Sequence, residues 1–395
     1  MTRRLMPGCM MLVAVSACAA QVPRPAPSID PGRMEDWSTV REFMDSTVAA
    51  SITPGAVLGV SYRGRRFIYG TGRLGIEDPA RPDSNTIYDL ASLTKVVALT
   101  TVTMQLVEEG LLDLDAPVNR YVPAFTGTGK DAVTIRHLLT HTSGLPDWRP
   151  LHLETETRRE ALALVDSTPL DTVPGLRYEY SDLGAIVLTQ AVEAVGGHRI
   201  DTLFAMRVAE PLGLASTRYL PPAEWTDRIA PTENDPWRGR ILRGEVHDEN
   251  ASRLGGVSGH AGLFSNVPDL LTFSEWLLGA MNPGFGKGWA VPPPEQLPTF
   301  IKRQNIPPGS SRALGWDTPS GESSGGRYIA PSSFGHTGFT GTSIWVDPVR
   351  GIAIVLLTNR VHPSRERSSV HDLRRGVADR VLLTIEPGLG KVRRR

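Results

Sequence analysis

Strand-forming segments lie at the two ends of this chain, and a long helical middle separates them. Near the N-terminal end, 56–62 and 66–70 read as strands joined at Arg63-Gly64-Arg65, a hairpin. Near the C-terminal end, 342–346 and 352–357 flank Asp347-Pro348-Val349-Arg350-Gly351 and form a second hairpin. Between them, from 111 to about 293, helix patterns dominate, at 134–139, 158–166, 183–195, 200–210 and 267–278. Helices are also predicted over 34–50, 93–109 and 371–385, with Gly110 as a C-terminal cap of the second. Strands are expected to return beyond about 294. The simplest packing is α+β: one antiparallel sheet built from both chain ends, flanked by the terminal helices, with a mainly helical domain inserted. The sheet parts are about 34–90 and 294–390, and the helical part is about 91–293.

The first residues are not expected to belong to this fold. Arg3 and Arg4 precede an apolar stretch over 5–15 and then Ser16-Ala17-Cys18. This is the pattern of a secretory signal and is too short to span a membrane. Val15-Ser16-Ala17-Cys18 resembles the bacterial lipobox, which makes Cys18 a lipidation site, 1–17 a signal peptide and 18–33 a Pro-rich tether. The plain alternative is a secretory signal in which Cys18 is incidental. An exported protein, anchored by lipid at the cell envelope, is therefore expected; Ala19 after the Cys favours the outer membrane over the inner one. Cys9 leaves with the signal, so one Cys remains, and a disulfide framework or zinc–cysteine site is excluded.

Charge excludes another class. Lys plus Arg and Asp plus Glu both number 42, so no global field attracts nucleic acid. Only five of the basic residues are Lys, which draws attention to each, and the run 391–395 reads as a solvated tail. Gly70, Gly72 and Gly75 match a dinucleotide fingerprint, but Ile76-Glu77-Asp78-Pro79 does not open a helix, so they mark a turn at a strand end. No P-loop, H-E-x-x-H or G-x-S-x-G string occurs.

Ser92-Leu93-Thr94-Lys95 places a hydroxyl and an amine on one helix face, at a helix start rich in free N–H groups. A Lys buried among Val96, Val97 and Leu99 can lose its proton more readily and act as a base. Taken alone, the tetrad is also compatible with a capping Ser and a solvated Lys. Two further strings follow in order: Tyr180-Ser181-Asp182 at the start of a helix, and His336-Thr337-Gly338 before the C-terminal strands.

In this order the three strings resemble the serine β-lactamase and penicillin-binding-protein superfamily, in its class C, D-alanyl-D-alanine carboxypeptidase and esterase branch. The resemblance covers about 35–385 and implies a β-lactamase/transpeptidase-like fold. It also implies a serine hydrolase that works through an acyl-enzyme without metal or cofactor. Ser92 matches the nucleophile, Lys95 the base or electrostatic partner, and Tyr180 the residue that passes a proton to the leaving group. The oxyanion hole would use the backbone N–H groups of Ser92 and Phe339. Asp182, His336, Thr337, Gly338, Phe339, His260 and Arg360 are the substrate-binding candidates.

Two positions depart from the pattern. Asp182 stands where many members have Asn, and a carboxylate beside Lys95 favours the charged amine, which shifts the base role toward Tyr180. His336 stands where Lys is usual and, near its ordinary pKa of ~6.5, offers less positive charge to a substrate carboxylate. Carboxylated substrates should then gain as the pH falls toward 6. Arg360 is a candidate replacement for that contact.

Val246-His247-Asp248-Glu249-Asn250-Ala251, the Gly255–Ser265 loop and Thr358-Asn359-Arg360-Val361-His362-Pro363 resemble a narrower subgroup. It contains penicillin-binding protein 4B and secreted serine-type N-acetylmuramoyl-L-alanine amidases, which act on cell-wall peptides. His247 and Asp248 are metal-ligand types, although a polar loop lining the cleft suits them better. His137 and His141 read as packing residues. The leading expectation is a monomeric hydrolase of amide or ester bonds in peptidoglycan fragments. The alternatives are a small-molecule esterase or β-lactamase-like hydrolase, and a catalytically silent cell-wall-binding lipoprotein.

Overall fold

The structure is a computed structural model and describes residues 35–282, 289–366 and 370–390. Cys18, the expected signal and tether, and the run 391–395 lie outside the described residues.

Five strands make the main sheet: β1 (Gly55–Tyr62), β2 (Arg65–Gly72), β3 (Phe334–Thr337), β4 (Ser343–Asp347) and β5 (Ile352–Thr358). Their order is β2-β1-β5-β4-β3, antiparallel throughout, so β1 from one chain end pairs with β5 from the other. The register sets Leu58 opposite Leu356 and Val60 opposite Ile354. The first hairpin turns on two residues, Arg63 (φ 50°) and Gly64 (φ 81°). Positive φ at both positions matches the twist of the flanking strands. In the second hairpin the Asp347 carboxylate accepts from the N–H groups of Val349 and Arg350 and closes the turn.

Helices cover the sheet. α1 (Ser38–Ala49) lies against β2 and against the last long helix, His371–Ile385. Val267–Met281 packs on β1 and β5 from the middle of the chain. Its first turn comes so close to β1 that a Cβ on Gly59 would lie 2.2 Å from Val267 Cγ1. One apolar core joins Val57 and Val355 of the sheet to Val96, Ile186, Leu271 and Phe273 of the helical part. The helical part is therefore packed into the sheet through a shared core.

Three sequence expectations are adjusted. Strands do not return at 294: the short helix Leu297–Phe300 and loops come first, and β3 starts at Phe334. The segment over 93–109 is not one regular helix: Lys95–Thr100 is a π-helical turn that runs into α2 (Thr101–Glu108), with Gly110 at φ 72° past its end. The middle also contributes strands, since Leu263–Ser265 pairs with Tyr88–Asp89 on one side and Arg218–Tyr219 on the other. Among the described residues no helix is long and apolar enough to cross a membrane.

Candidate active site

Ser92 follows Ala91, whose φ of 46° is left-handed and costly for a residue with a Cβ. The buried Asp89 side chain holds that conformation by accepting from the Ala91 N–H (2.8 Å) and, at its other oxygen, from the His247 N–H (2.6 Å). The helix begins at Leu93, and the π-helical turn starts at Lys95, where an extra residue per turn re-aims the side chain.

Lys95 is buried, with its ammonium 3.2 Å from Ser92 Oγ, 3.0 Å from the His260 carbonyl and 2.6 Å from Asp182. Burial alone would depress its pKa, but the Asp182 carboxylate and the Tyr180 hydroxyl outweigh burial and raise it. Lys95 is thus held toward its ammonium form, in the direction expected of a carboxylate at Asp182 and against the one expected from its apolar neighbours alone. Asp182 opens the helix α3 (Asp182–Gly196), where a negative charge in the first turn is favourable, and Ser181 caps that helix through the Gly184 N–H.

Tyr180 sits between two cations, with Lys95 Nζ 5.1 Å and the Arg312 guanidinium 5.3 Å from its ring centre. Its hydroxyl is buried and without a hydrogen-bond partner among the described residues. The His141 ring lies 4.5 Å from the Tyr180 ring and fixes the adjoining backbone, because His141 Nδ1 accepts from the Ser181 N–H at 3.1 Å. His141 therefore supports the site directly, beyond the packing role read from the sequence.

His336 lies on β3 with its ring 5.9 Å from Tyr180. Its Nδ1 donates to the Thr337 carbonyl at 2.8 Å, which leaves Nε2 as an acceptor, buried and unpartnered among the described residues. Burial, then Arg312 and Lys95, push its pKa well below the ordinary value. The shift favours the neutral imidazole, a direction that works against the gain of carboxylated substrates expected toward pH 6.

These groups face a cleft of about 520 Å³. Ser92, Tyr180, His336, Thr337, Gly338, Phe339 and Arg360 line it, together with Tyr178, Arg312, Asp317 and Arg374. Gly338 brings its wall against the serine loop: a Cβ there would lie 2.4 Å from the Leu90 carbonyl and 2.2 Å from Thr342 Oγ1. The hydroxyls of Thr340 and Thr342 bolt the same turn to the carbonyls of Asp89 (2.8 Å) and Leu90 (3.0 Å). Among the described residues, the backbone N–H groups of Ser92 and Phe339 donate to no protein acceptor. Two such donors on facing loops can stabilise an oxyanion.

The remaining candidates are placed differently. His260 is buried and off the cleft wall, with its ring held between Ser258 Oγ (2.7 Å) and Asp248 (2.9 Å) and only its carbonyl reaching Lys95. Asp248 also caps the helix Glu249–Arg253, and burial of its charge is outweighed by His260, which holds its pKa down. His247 pairs with Glu233 (2.9 Å) and stacks on Phe339 (5.7 Å). Arg360 stays at the rim, with its guanidinium over the Phe339 ring (4.6 Å) and its Nε donating to the Phe339 carbonyl (2.9 Å).

The sequence reading missed Arg312. It is buried, donates to the Tyr178 hydroxyl (3.1 and 2.9 Å), and has Nη1 without a partner among the described residues. In an Arg-rich chain with no motif around it, nothing local distinguishes this guanidinium.

Fold and cleft together define a serine hydrolase of the β-lactamase and penicillin-binding-protein type. The Beta-lactamase family model matches residues 39–379, and the chain belongs to that family. Among its relatives, an N-acetylmuramyl-L-alanine amidase of Bacillus subtilis (strain 168) is 32% identical, over 82% of this chain and 80% of the relative. An Escherichia coli (strain K12) protein, provisionally named a D-alanyl-D-alanine carboxypeptidase, is 31% identical over 74% and 73%. Among solved structures, a class C β-lactamase superposes with a TM-score of 0.70 at 20% identity, covering 89% of this chain and 96% of that one.

Proposed function

We propose that this chain hydrolyses an amide bond of peptidoglycan-derived muropeptides through an acyl-enzyme on Ser92. The observation that carries this reading is the Lys95 ammonium, held between Ser92 Oγ and Asp182 beside an unpartnered Tyr180 hydroxyl. Ser92 Oγ attacks the carbonyl carbon, and the N–H groups of Ser92 and Phe339 receive the developing oxyanion. With Lys95 held charged by Asp182, the Tyr180 oxygen is the acceptor of the serine proton. As the C–N bond breaks, Tyr180 passes that proton to the leaving amine. Water then attacks the Ser92 ester, its proton returns through Tyr180 to Ser92 Oγ, and the carboxylic acid leaves.

The relatives named for cell-wall amide cleavage support the substrate class. Such a substrate lies outside the cytoplasm, which supports an exported protein; the tether at Cys18 and a monomeric state are further parts of the proposal. Ser92→Ala should abolish labelling by a fluorescent phosphonate and the release of peptide from muropeptides, read by mass spectrometry. Losing a hydroxyl that accepts from Lys95 Nζ should cost at most ~1–2 kcal/mol of stability. Labelling or peptide release that survives in Ser92→Ala overturns the assignment.

A further inference from the structure

An aromatic ridge with no part in the mechanism above stands on loops that are hydrogen-bonded to Asp182 and to His247. Trp148 and Trp237 are 44% and 39% exposed, unusual for the largest apolar side chain, and His152 lies buried between them. The His152 ring is 6.1 Å from Trp148 and 4.9 Å, edge-on, from Trp237. Asn250, from the string that the sequence singled out without giving it a role, fixes the ridge. Its Oδ1 accepts from the His152 N–H (3.2 Å), and its Nδ2 donates to the Arg149 carbonyl (2.8 Å).

Both ends of the ridge are tied to residues that touch the catalytic groups. At one end, the carbonyl of Asp147, next to Trp148, accepts from the N–H of Asp182, the partner of Lys95 (2.8 Å). At the other, Arg238 stacks on Trp237 (5.3 Å) and donates to the carbonyl of His247 (2.6 Å), whose ring lies on Phe339 of the cleft wall. A rigid, half-exposed indole suits a flat ligand face that is apolar at its centre and polar at its edge. The C–H face of a pyranose ring has that character.

We propose that Trp148 and Trp237 form a saccharide subsite, which stacks the muramic acid ring next to the amide under attack. This rests on the muropeptide reading above. In a muramoyl-peptide amide the attacked carbonyl belongs to the lactyl group carried by the sugar. The ring must therefore lie within a few bonds of Ser92.

Binding tests the ridge, and turnover tests the reading it rests on. On the Ser92→Ala background, N-acetylmuramyl-L-alanyl-D-isoglutamine and its sugar-free counterpart, N-acetyl-L-alanyl-D-isoglutamine, are titrated by calorimetry. The sugar-bearing ligand should bind at least about tenfold more tightly, as expected for an aromatic anchor. Adding Trp148→Ala should erase that preference, and Trp148→Phe should keep most of it. Equal affinity for the two ligands, no muramyl binding at all, or a preference untouched by Trp148→Ala overturns the subsite. A tenfold preference without cleavage of the muramyl ligand by the unaltered chain keeps the subsite and overturns the proposed reaction instead.

Discussion

Asp182 decides the protonation state of Lys95. Its carboxylate lies 2.6 Å from the buried ammonium, and without it burial, the largest single influence and a downward one, would be opposed by Tyr180 alone. Asp182→Asn keeps the side-chain shape at the start of α3 and removes the charge. Breaking a buried pair on one side should cost up to about 3 kcal/mol, read from chemical denaturation. The kcat/KM–pH profile should also acquire a Lys ionisation below the ordinary ~10.4, absent from the unaltered chain. Identical profiles would show that Asp182 does not set the state of Lys95. The sign in the native protein follows from the raised pKa. Stability from the pair is fully present below the unfolded value of ~10.4 and is lost only as pH rises through the higher folded value. His336 carries the opposite lesson. The sequence placed a weak cation there, whereas burial, followed by the positive charge of Arg312 and Lys95, pushes the imidazole toward its neutral form.

Two short loops matter more to the chemistry than any helix. One is Asp89–Ser92, with its left-handed Ala91; the other is the turn after β3, through Gly338 and Phe339. Their closeness depends on Gly338, since a Cβ there would overlap the Leu90 carbonyl and Thr342 Oγ1. In Gly338→Ala the turn must move away from the serine loop and separate the two backbone donors. A shift approaching 1 Å should lower kcat by about 100-fold with a smaller change in KM, because the loss falls on the transition state. Steady-state kinetics on a p-nitrophenyl ester check this, and an unchanged kcat would show that the two N–H groups do not act together. The π-helical turn at Lys95–Thr100 belongs to the same scale: periodicity over 93–109 could only predict a helix, because a π-turn retains the same apolar residues.

At the scale of the whole molecule, the proposed attachment to the envelope rests on Cys18. Cys18→Ser should move the protein from the membrane fraction to the soluble fraction, or block its processing. Several acyl chains at ~0.8 kcal/mol per buried CH₂ would be lost at once. Wild-type fractionation of the variant would leave Cys18 incidental.

The strings Ser92–Lys95, Tyr180–Asp182 and His336–Gly338 were legible because each is local and their order is set by the chain. The two hairpins and the joining of both chain ends in one sheet were legible for a related reason, since strand periodicity and turn residues are short-range signals. A helix spacing also sufficed to put Ser92 beside Lys95, 3.2 Å apart in the fold. The sequence named Asp182 as a carboxylate that would favour a charged Lys95, but only the tertiary structure set it against burial, at 2.6 Å from the ammonium and 87 positions away in the chain. It alone brought Arg312 over Tyr180 and turned the His260 ring out of the cleft wall. Electrostatics and burial are sums over neighbours from every part of the chain. A sequence names those neighbours one at a time, and folding decides which of them meet.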